Sequence, residues 1–293
     1  MGGLVTCGLT VAVVHAQTGS PLEGRQLEQI LGRAPAVQPG NVLRFAFPRS
    51  DLQVSLDGVA LKPALALGGW AAFVPMGKQT MLMGDLVLLP EEIPAVMSKL
   101  QEGGIRQEAL HNHLAGTAPS VLYMHIVGEG DPLVLAKALR KGLAASATPL
   151  TVPPSPSPGA RLDLDTETLD RILGYRGRNN GGVLQYAVQR AETIREGGMA
   201  IPPQVMGISL NFQPLGGGRA AATGDIALIA SEVNPIIRTL RSGNIAVTAL
   251  HSHTLDEEPR LFHLHFWTTA DATSTARTLR SALDRLNIRK PEG

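Results

Sequence analysis

The apolar positions of residues 91–102 follow a helical period. Ile93, Val96, Met97 and Leu100 fall at i, i+3, i+4 and i+7, and two glycines come shortly afterwards. This spacing places the apolar side chains on one helix face, and glycine commonly ends a helix. The same spacing recurs in the second half of the chain, at Val233, Ile236, Ile237 and Leu240. Both stretches are therefore predicted to be amphipathic helices.

The rest of the first half predicts a mixed α and β unit. Apolar runs bounded by turn residues predict six strands, at residues 41–47, 54–59, 65–75, 80–89, 105–113 and 120–127. Two further amphipathic helices are predicted at residues 22–32 and 132–143. Within this unit, the last five predicted elements, from residue 80 to residue 143, follow the order β-α-β-β-α. This order resembles a ferredoxin-like arrangement without its last strand. An earlier strand could complete the sheet, and the predicted fold class is α+β.

The unit is present twice. Residues 84–143 and 224–283 are similar without a gap, at a constant offset of 140. Identical pairs include Gly84/Gly224, Asp85/Asp225, His111/His251 and His113/His253. The similarity continues upstream with small shifts, so residues 22–143 and 164–283 are two copies of one unit. We expect the copies to superpose and to pair about a pseudo-two-fold axis, because each then buries the same surface.

A proline-rich stretch at residues 148–159 separates the copies. Proline fixes φ and removes a backbone donor, so this stretch is predicted to be an extended linker. The predicted domains are copy 1 at residues 17–147, the linker at residues 148–159 and copy 2 at residues 160–293.

The beginning of the chain is predicted to be a signal peptide, residues 1–16. Residues 4–14 form an apolar run that is too short for the ~20 residues of a bilayer span and typical of a signal-peptide core. Cleavage after Ala16 would leave Gln17 as the first residue. No Lys or Arg precedes the run, so a lipid-modified Cys7 and an ordinary strand are alternatives. No later segment is predicted to span a membrane, and the protein is expected to be secreted or in the periplasm or cell envelope.

The composition argues against nucleic-acid binding and excludes sites built from several cysteines. The 293 residues include 26 Lys and Arg against 25 Asp and Glu, a net charge of +1. Such a chain, without a basic block, is a poor nucleic-acid binder, so no nucleic-acid partner is expected. One Cys excludes an intramolecular disulfide framework and a Cys-rich zinc site. A small-molecule or polymer substrate and a homodimer stay open as partners.

Histidine is the residue type whose placement points to a chemistry. Seven of the eight His lie in two windows, residues 111–125 and 251–265, which make up about a tenth of the chain. They are His111, His113, His125, His251, His253, His263 and His265. This clustering predicts that one or both copies bind a metal ion.

The spacing within each window suits a metal site. A His-x-His pair on a strand places both imidazoles on one face, with Cα atoms about 6.6 Å apart. His125 or its counterpart on the return strand could supply a third nitrogen, and three ligands leave a position for water or substrate. The strand register decides whether His125 shares that face. Pairing of Leu114 with Pro119 would turn it away, and a one-residue shift or a bulge would turn it back.

These ligands are compatible with a metal-dependent hydrolase. A metal ion with neutral ligands lowers the pKa of bound water to about 7, which supplies a hydroxide nucleophile. The candidate catalytic carboxylates are Glu108 and Glu257. Other carboxylates that could serve are Asp256, Glu258 and the duplicated Asp85 and Asp225. Imidazole ligands favour zinc as the divalent ion, with copper, nickel or iron as alternatives.

Four short motifs resemble one family of bacterial proteins. They are Pro48-Arg49-Ser50-Asp51, Gly84-Asp85-Leu86, Ala109-Leu110-His111-Asn112-His113 and Tyr123-Met124-His125. Together they resemble the LppY/LpqO-homologue family, an exported domain of unknown function, over nearly all of residues 22–143 and more loosely in the second copy. The resemblance implies a bacterial, secreted or envelope setting and no established activity. The chain departs from the lipoprotein members because it lacks a good lipidation signal.

Two other interpretations are open. One is a non-catalytic envelope protein that binds a metal or a small ligand. The other is a purely structural role, with imidazoles paired across strands, but this leaves the clustering unexplained. For the remaining duplicated polar residues a structural role is predicted: Glu92 and Glu232 in a first helical turn, Asp131 and Asp271 as helix caps, and Arg49 and Arg190 in ion pairs.

Overall fold

The structure is a computed structural model that describes residues 21–151 and 162–290. The predicted signal peptide, residues 1–16, and most of the predicted linker lie outside the described residues. Within the two described ranges, no helix is both long enough and apolar enough to cross a membrane.

Copy 1 alternates helices and strands along the chain. In order, its elements are α1 (Pro21–Leu31), β1 (Ala36–Gln38), β2 (Val42–Pro48), β3 (Ser55–Leu56), β4 (Val59–Ala60), α2 (Pro63–Ala66), β5 (Gly68–Met76), β6 (Gln79–Leu88), α3 (Ile93–Glu102), β7 (Arg106–His111), β8 (Leu122–Gly130) and α4 (Pro132–Leu143). Two 3₁₀ turns, Pro39–Asn41 and Pro90–Glu92, precede β2 and α3.

Copy 2 repeats this order with few changes. Its elements are α5 (Thr166–Leu173), β9 (Arg178–Asn180), β10 (Val183–Val188), β11 (Arg195–Glu196), β12 (Met199–Ala200), β13 (Ile208–Gly216), β14 (Arg219–Leu228), α6 (Ala230–Ser242), β15 (Ala246–His251), β16 (Phe262–Asp271) and α7 (Ala272–Leu283).

Each copy forms one six-stranded antiparallel sheet. The strand order is β1-β2-β5-β6-β8-β7 in copy 1 and β9-β10-β13-β14-β16-β15 in copy 2, so the two sheets correspond strand for strand. Within copy 1, β8 lies between β6 and β7, as in a ferredoxin-like sheet, and β5 occupies the position of the missing last strand. The predicted α+β fold with two tandem copies is therefore confirmed.

One predicted strand is wrong. Residues 54–59 do not form a single strand, because the chain turns at Asp57 (φ 49°) and Gly58 (φ 76°) between β3 and β4. Positive φ at both central residues is the hairpin geometry that an Asp-Gly pair favours, so this dipeptide was the signal for a turn. The edge strands β1 and β9 are likewise absent from the sequence prediction, since three-residue strands have too little pattern to detect.

The predicted helix caps are confirmed. The Asp131 carboxylate accepts hydrogen bonds from the backbone N–H groups of Leu133 and Val134, at 2.9 and 3.0 Å. Asp271 accepts one from Ser274 at 2.8 Å. These carboxylates satisfy N–H groups that have no partner inside the helix, and so they set where α4 and α7 begin.

The predicted ion pairs are also confirmed, and they are buried. Arg49 donates to Glu92 at 2.6 Å and to the Val87 carbonyl at 3.0 Å. Arg190 makes the equivalent contacts in copy 2, to Glu232 at 2.7 Å and to a β14 carbonyl at 2.8 Å. Each pair joins the end of a sheet strand to the start of α3 or α6, which is a structural role.

The sheet of copy 1 is covered on one face by its own helices. Phe45, Phe73 and Leu82 on this face share a core with Leu100 of α3 and Leu139 of α4. The other face carries a second row of apolar side chains, which its own helices cannot reach. That face is available to the other copy.

Each copy covers the second face of the other through the segment between its first two long strands, β2 and β5 in copy 1 and β10 and β13 in copy 2. We call residues 54–67 covering segment 1 and residues 194–206 covering segment 2. Met81 and Met83 of copy 1 belong to the same core as Ile201 and Met206 of covering segment 2. The reciprocal core contains Leu61 and Leu65 of covering segment 1 with Val183, Ala221 and Trp267 of copy 2.

Hydrogen bonds fix covering segment 1 on copy 2. The buried Gln213 side chain accepts from the Lys62 backbone N–H and donates to the Ala60 carbonyl, both at 2.9 Å. Trp267 donates to Asp57 at 2.9 Å. Buried side-chain amides satisfy the backbone groups of the incoming segment, so the two copies form one body with the uncovered sheet faces turned toward each other.

Candidate metal centre

The register of β7 and β8 places His125 beside His111. His111 pairs with Tyr123 and Ala109 pairs with His125. This register differs by one residue from a pairing of Leu114 with Pro119, so it is the shifted alternative that occurs. Because side chains two residues apart share a face, the rings of His111 and His125 point to the same side of the sheet.

A bulge in β7 accompanies this register. The pairing shifts between Gln107 and Ala109, which leaves Glu108 as the extra residue. The same shift occurs in β15 between Val247 and Ala249, with Thr248 as the extra residue. Both copies therefore turn their histidines to the second sheet face by the same local device.

An aspartate lies in the same row of each sheet. Asp85 of β6 pairs with His125 of β8, and Asp225 of β14 pairs with His265 of β16. Residues paired across antiparallel strands point to the same face, so each carboxylate is directed to the histidines. Asp85 approaches His125 at 3.7 Å, and Asp225 approaches His253 at 3.6 Å.

The histidines of the two copies meet in one cluster, in place of the separate site in each copy that the sequence suggested. His111 stacks on its own counterpart, His251, with ring centroids 3.5 Å apart. His113 stacks on His265, and His253 on His125, both at 3.8 Å. These two pairs exchange when the copies are interchanged, so the pseudo-two-fold axis passes between His111 and His251. The physical reason is that the two bare sheet faces pack against each other.

Within the stacked rings, the symmetry breaks where copy 1 has Tyr123 and copy 2 has His263. Tyr123 stacks on His113 at 3.4 Å, and its counterpart His263 stacks on His253 at 3.3 Å. The Tyr123 hydroxyl donates to the Ala66 carbonyl, whereas His263 lies 2.8 Å from Asp225 through its Nδ1 atom. Copy 2 therefore offers one more imidazole than copy 1.

The Nε2 atoms of all seven histidines are buried and have no hydrogen-bond partner within the described residues. The Asp85 Oδ1 atom is also buried and has no hydrogen-bond partner among these residues. A buried polar atom without a partner costs about 1–3 kcal/mol, and native proteins contain few of them. Seven such atoms directed into one cluster call for a common ligand.

Burial keeps these rings neutral. Burial and then the neighbouring imidazoles lower the pKa of His113, His125 and His253 well below the ordinary 6.5. The same causes lower the pKa of His265 to about 4 and that of His111 to about 3. At neutral pH these imidazoles are uncharged and carry a free lone pair, which is the form that binds metals.

The two aspartates differ in their electrostatic surroundings. Burial and then repulsion from Asp225 raise the pKa of Asp85 to about 8. Burial also disfavours the charged form of Asp225, but His263 and His265 offset this effect and lower its pKa below 3.8. A buried carboxylate whose charged form is disfavoured by a second carboxylate is one that a bound cation would stabilise.

The ligand atoms group into three sets, each with all its atoms within 4.8 Å of one another. A central set joins both copies through four imidazoles, those of His111, His113, His251 and His253. Two flanking sets each combine one carboxylate with two imidazoles: Asp85, His113 and His125, and Asp225, His253 and His263. These sets could hold metal ions, and two histidines each belong to two sets.

The structure thus brings all seven predicted histidines together, and it places the predicted catalytic carboxylates elsewhere. Glu108 accepts a hydrogen bond from the Leu255 backbone at 3.0 Å. Glu257 accepts from Thr254 at 2.6 Å and from the Leu261 backbone at 2.8 Å. Among the described residues, neither carboxylate belongs to a ligand set or lines the adjacent cavity. Both anchor the loop that carries His253.

Among the carboxylates that the sequence left open, the duplicated Asp85 and Asp225 are the ones that belong to sets able to hold a metal ion. The signal for them is the Gly-Asp pair repeated at the 140-residue offset. The glycine has a steric reason, because a Cβ atom on Gly84 would lie 2.8 Å from the Trp70 carbonyl. The pair therefore allows close strand packing and directs a carboxylate to the histidines.

A cavity of about 880 Å³ opens beside the cluster, between the two copies. Its floor includes both aspartates and five of the histidines. Its walls carry three arginines, Arg44, Arg176 and Arg178. A small molecule could therefore reach the flanking ligand sets from solvent.

Comparison with known proteins identifies a family without an assigned activity. A family described as "Domain of Unknown Function (DUF1259)" matches residues 25–145 and again residues 167–285. None of the curated proteins matches the chain.

Two solved structures show a weak likeness. The trimeric bacterial microcompartment shell protein PduB is 13% identical, with 87% of this chain and 95% of that chain covered and a TM-score of 0.25. EtuB from Clostridium kluyveri is 9% identical, with 85% and 88% covered and a TM-score of 0.23. At these values the likeness carries no argument about assembly or function.

Proposed function

We propose that this chain, which belongs to the family described as "Domain of Unknown Function (DUF1259)", binds transition-metal ions at a centre built by both of its copies. The observation that carries the proposal is the set of seven buried Nε2 atoms that face one another without a partner. A metal ion would accept these lone pairs and remove the cost of leaving them unsatisfied.

The spacing of the ligand atoms fits such an ion. Two nitrogens that each lie about 2.1 Å from one ion are at most about 4.2 Å apart. The atoms of each set already lie within 4.8 Å of one another, so small side-chain movements would complete the coordination. The aspartates would help to offset the charge of the ion, and the ion would in turn favour the charged form of Asp85.

The ligand types suggest which ions would bind. Four imidazoles suit zinc, copper or nickel, whereas two imidazoles and one carboxylate suit zinc or iron(II) and leave coordination positions open. His113 and His253 belong both to the central set and to a flanking set. Occupation of the flanking sets would therefore compete with occupation of the central set.

Each flanking set offers three ligand atoms, which leaves coordination positions free for water or substrate. Together with the adjacent cavity, this favours a catalytic metal centre over a purely structural one. Asp85, His113 and His125, or Asp225, His253 and His263, would hold the ion, which would lower the pKa of a bound water or polarise a carbonyl or phosphoryl oxygen, the chemistry of a metal-dependent hydrolase. The alternative is non-catalytic metal binding by the four-imidazole set. The number of ions bound and their open positions distinguish the two.

The proposal includes a location outside the cytoplasm. It rests on the apolar run at residues 4–14 and on the resemblance to the LppY/LpqO homologues. N-terminal sequencing of material from the native host tests this part. A chain that begins near Gln17 supports it, and an intact Met1 contradicts it.

The central experiment is elemental analysis of the full chain, purified without a His tag. We expect a divalent transition metal in the wild-type protein and much less in His111→Ala or His251→Ala. Asn112→Ala is the matched control, because this exposed residue lies between His111 and His113 and its hydrogen bond to the His111 ring comes from the backbone carbonyl, which alanine keeps. Full metal content in both histidine variants, together with lower melting temperatures, would mean that the histidines are structural.

A further inference from the structure

The cavity beside the histidine cluster has a cationic wall that the metal centre does not explain. Arg44 of β2 lies over the Trp70 ring, with its guanidinium carbon 4.0 Å from the ring centroid. Its side chain lines the cavity together with that of Asp85. Arg44 lies on the same sheet face as Asp85 and His125, with β5 between its own strand and β6, and so it reaches toward one of the flanking ligand sets.

Arg44 is fixed in place but not neutralised. Within residues 21–151 and 162–290, no carboxylate oxygen lies within 4.0 Å of its guanidinium. Burial lowers the pKa of Arg44 to about 10, and Asp85 acts in the opposite direction, so the group stays charged at neutral pH. A charged, partly buried guanidinium without an ion-pair partner is uncommon, because desolvation of a charge is costly unless a counter-ion compensates.

The two copies differ at this wall, although they share three of their histidine positions. The position of Arg44 in copy 1 is held in copy 2 by Gln185, which donates to the Ala64 carbonyl at 2.7 Å. The position of Trp70 is held by Ser209. Arg44 is therefore specific to copy 1, and copy 2 contributes Arg176 and Arg178 to the lining of the cavity.

We propose that this cavity binds a small organic anion, with a carboxylate or phosphate group held by Arg44 and the remainder directed to the metal centre. The inference rests on the proposed metal-binding function and names its ligand class. Arginine is suited to this role, because its planar guanidinium donates two parallel hydrogen bonds to a carboxylate or phosphate.

Charge and size agree with this ligand class. The cavity is lined by three arginines and two aspartates, and both aspartates belong to the ligand sets on its floor. Each divalent ion bound there adds two positive charges, so the loaded cavity is strongly positive and attracts anions. A volume of about 880 Å³ suits a small molecule and not a folded partner.

The experiment measures metal content and anion binding on the same samples. The full chain is loaded with Co²⁺ and titrated with malonate and with inorganic phosphate at constant ionic strength, by calorimetry and by the visible absorption of the ion. Arg44→Met keeps most of the side-chain volume and removes the charge. Arg238→Met, on the exposed side of α6, is the control.

We expect the wild type to bind at least one anion, with a change in the cobalt spectrum. Arg44→Met should weaken binding about tenfold or more without loss of metal, and Arg238→Met should bind normally. If the loaded wild type binds neither anion, or if Arg44→Met binds as tightly as the wild type, the anion site is refuted and the metal centre stands. If the wild type holds no metal, the proposed function fails and this inference fails with it.

Discussion

At the scale of the residue, the centre depends on histidines that stay neutral. An exposed imidazole titrates near 6.5, but burial lowers the pKa of six of the seven clustered rings. A neutral ring keeps one nitrogen with a free lone pair. In His111, His251 and His265 the Nδ1 atom lies against a backbone carbonyl oxygen, which places the proton on Nδ1 and the lone pair on Nε2. The same shift makes the metal-free protein sensitive to acid.

The metal-free chain should lose stability as pH falls below about 6.5. A histidine whose folded pKa is lowered takes up its proton in the unfolded state first, so protons favour unfolding until the folded pKa is reached. For His265 that folded pKa is about 4. Asp85 and Glu196, with pKa values raised to about 8 and about 7, act in the opposite direction, but they are two groups against six.

The measurement is urea unfolding of the chelator-treated protein from pH 7.5 to 4.5, with metal-loaded protein as the comparison. The free energy of unfolding should fall continuously below pH 6.5 in the metal-free sample. In the loaded sample the decline in the free energy of unfolding should coincide with release of the metal. A metal-free protein with constant stability over this range would show that the rings are not buried as neutral groups.

At the scale of the element, two bulges connect the copies. The extra residue of each bulge reaches the histidine-bearing loop of the other copy. Glu108 of β7 accepts from the Leu255 backbone at 3.0 Å, and Thr248 of β15 donates to the His113 carbonyl at 2.7 Å. The same bulges set the register that turns His125 and His265 inward, so one local irregularity both orients the ligands and holds the opposing loop.

Glu108→Ala should destabilise the protein by about 1–3 kcal/mol, because it leaves the Leu255 N–H without its buried acceptor. Metal affinity should fall as well, since the loop that carries His253 loses an anchor. Glu108→Gln is the matched control. It keeps an acceptor oxygen and removes the repulsion that, after burial, raises the pKa of Glu196.

Urea denaturation and metal titration of the two variants check this prediction. The glutamine variant should match the wild type in both measurements or exceed it in stability. Equal loss in both variants would instead mean that the negative charge of Glu108 matters more than the hydrogen bond. In that case the carboxylate would deserve reconsideration as a group that acts on the centre.

At the scale of the whole molecule, neither copy is complete alone. The second sheet face of copy 1 shares its core with covering segment 2, and that of copy 2 shares its core with covering segment 1. The central ligand set takes two histidines from each copy. The internal duplication thus pairs two similar but not identical halves within one chain. Equivalent positions can therefore carry different residues, as Tyr123 and His263 do, and as Arg44 and Gln185 do.

Separated halves, residues 17–147 and 160–293, should therefore not behave as stable monomers. Each would expose an apolar sheet face, so self-association or aggregation is expected. Mixing them should restore a one-to-one complex that binds metal, whereas each half alone should bind metal at least about tenfold more weakly. Sedimentation and metal titration test this expectation, and a chain cut at an inserted protease site within residues 152–159 is the control.

A half that is monomeric, cooperatively folded and metal-binding at full affinity would contradict the shared centre. It would favour one site in each copy, as the sequence suggested. The cut control separates this result from an effect of breaking the chain, because its two halves fold together before cleavage.

The sequence by itself determined the features that rest on local pattern. The helical period at residues 91–102, the 140-residue offset and the two histidine windows identify the α+β unit, its duplication and the residues that carry chemistry. The Asp131 and Asp271 caps are equally local, since a carboxylate binds N–H groups two or three residues away. Such features depend on residues that are close together in the sequence, so the sequence alone is enough to predict them.

Only the tertiary structure decided how these residues combine. The register of β7 on β8 depends on a bulge, and a shift of one residue reverses every side chain of a strand. The merger of both histidine windows, the choice of Asp85 and Asp225 over Glu108, and the position of Arg44 follow from the packing of two sheet faces. The reason is physical: these contacts join residues far apart in the chain, and burial of apolar surface, which has no direction of its own, determines which faces meet.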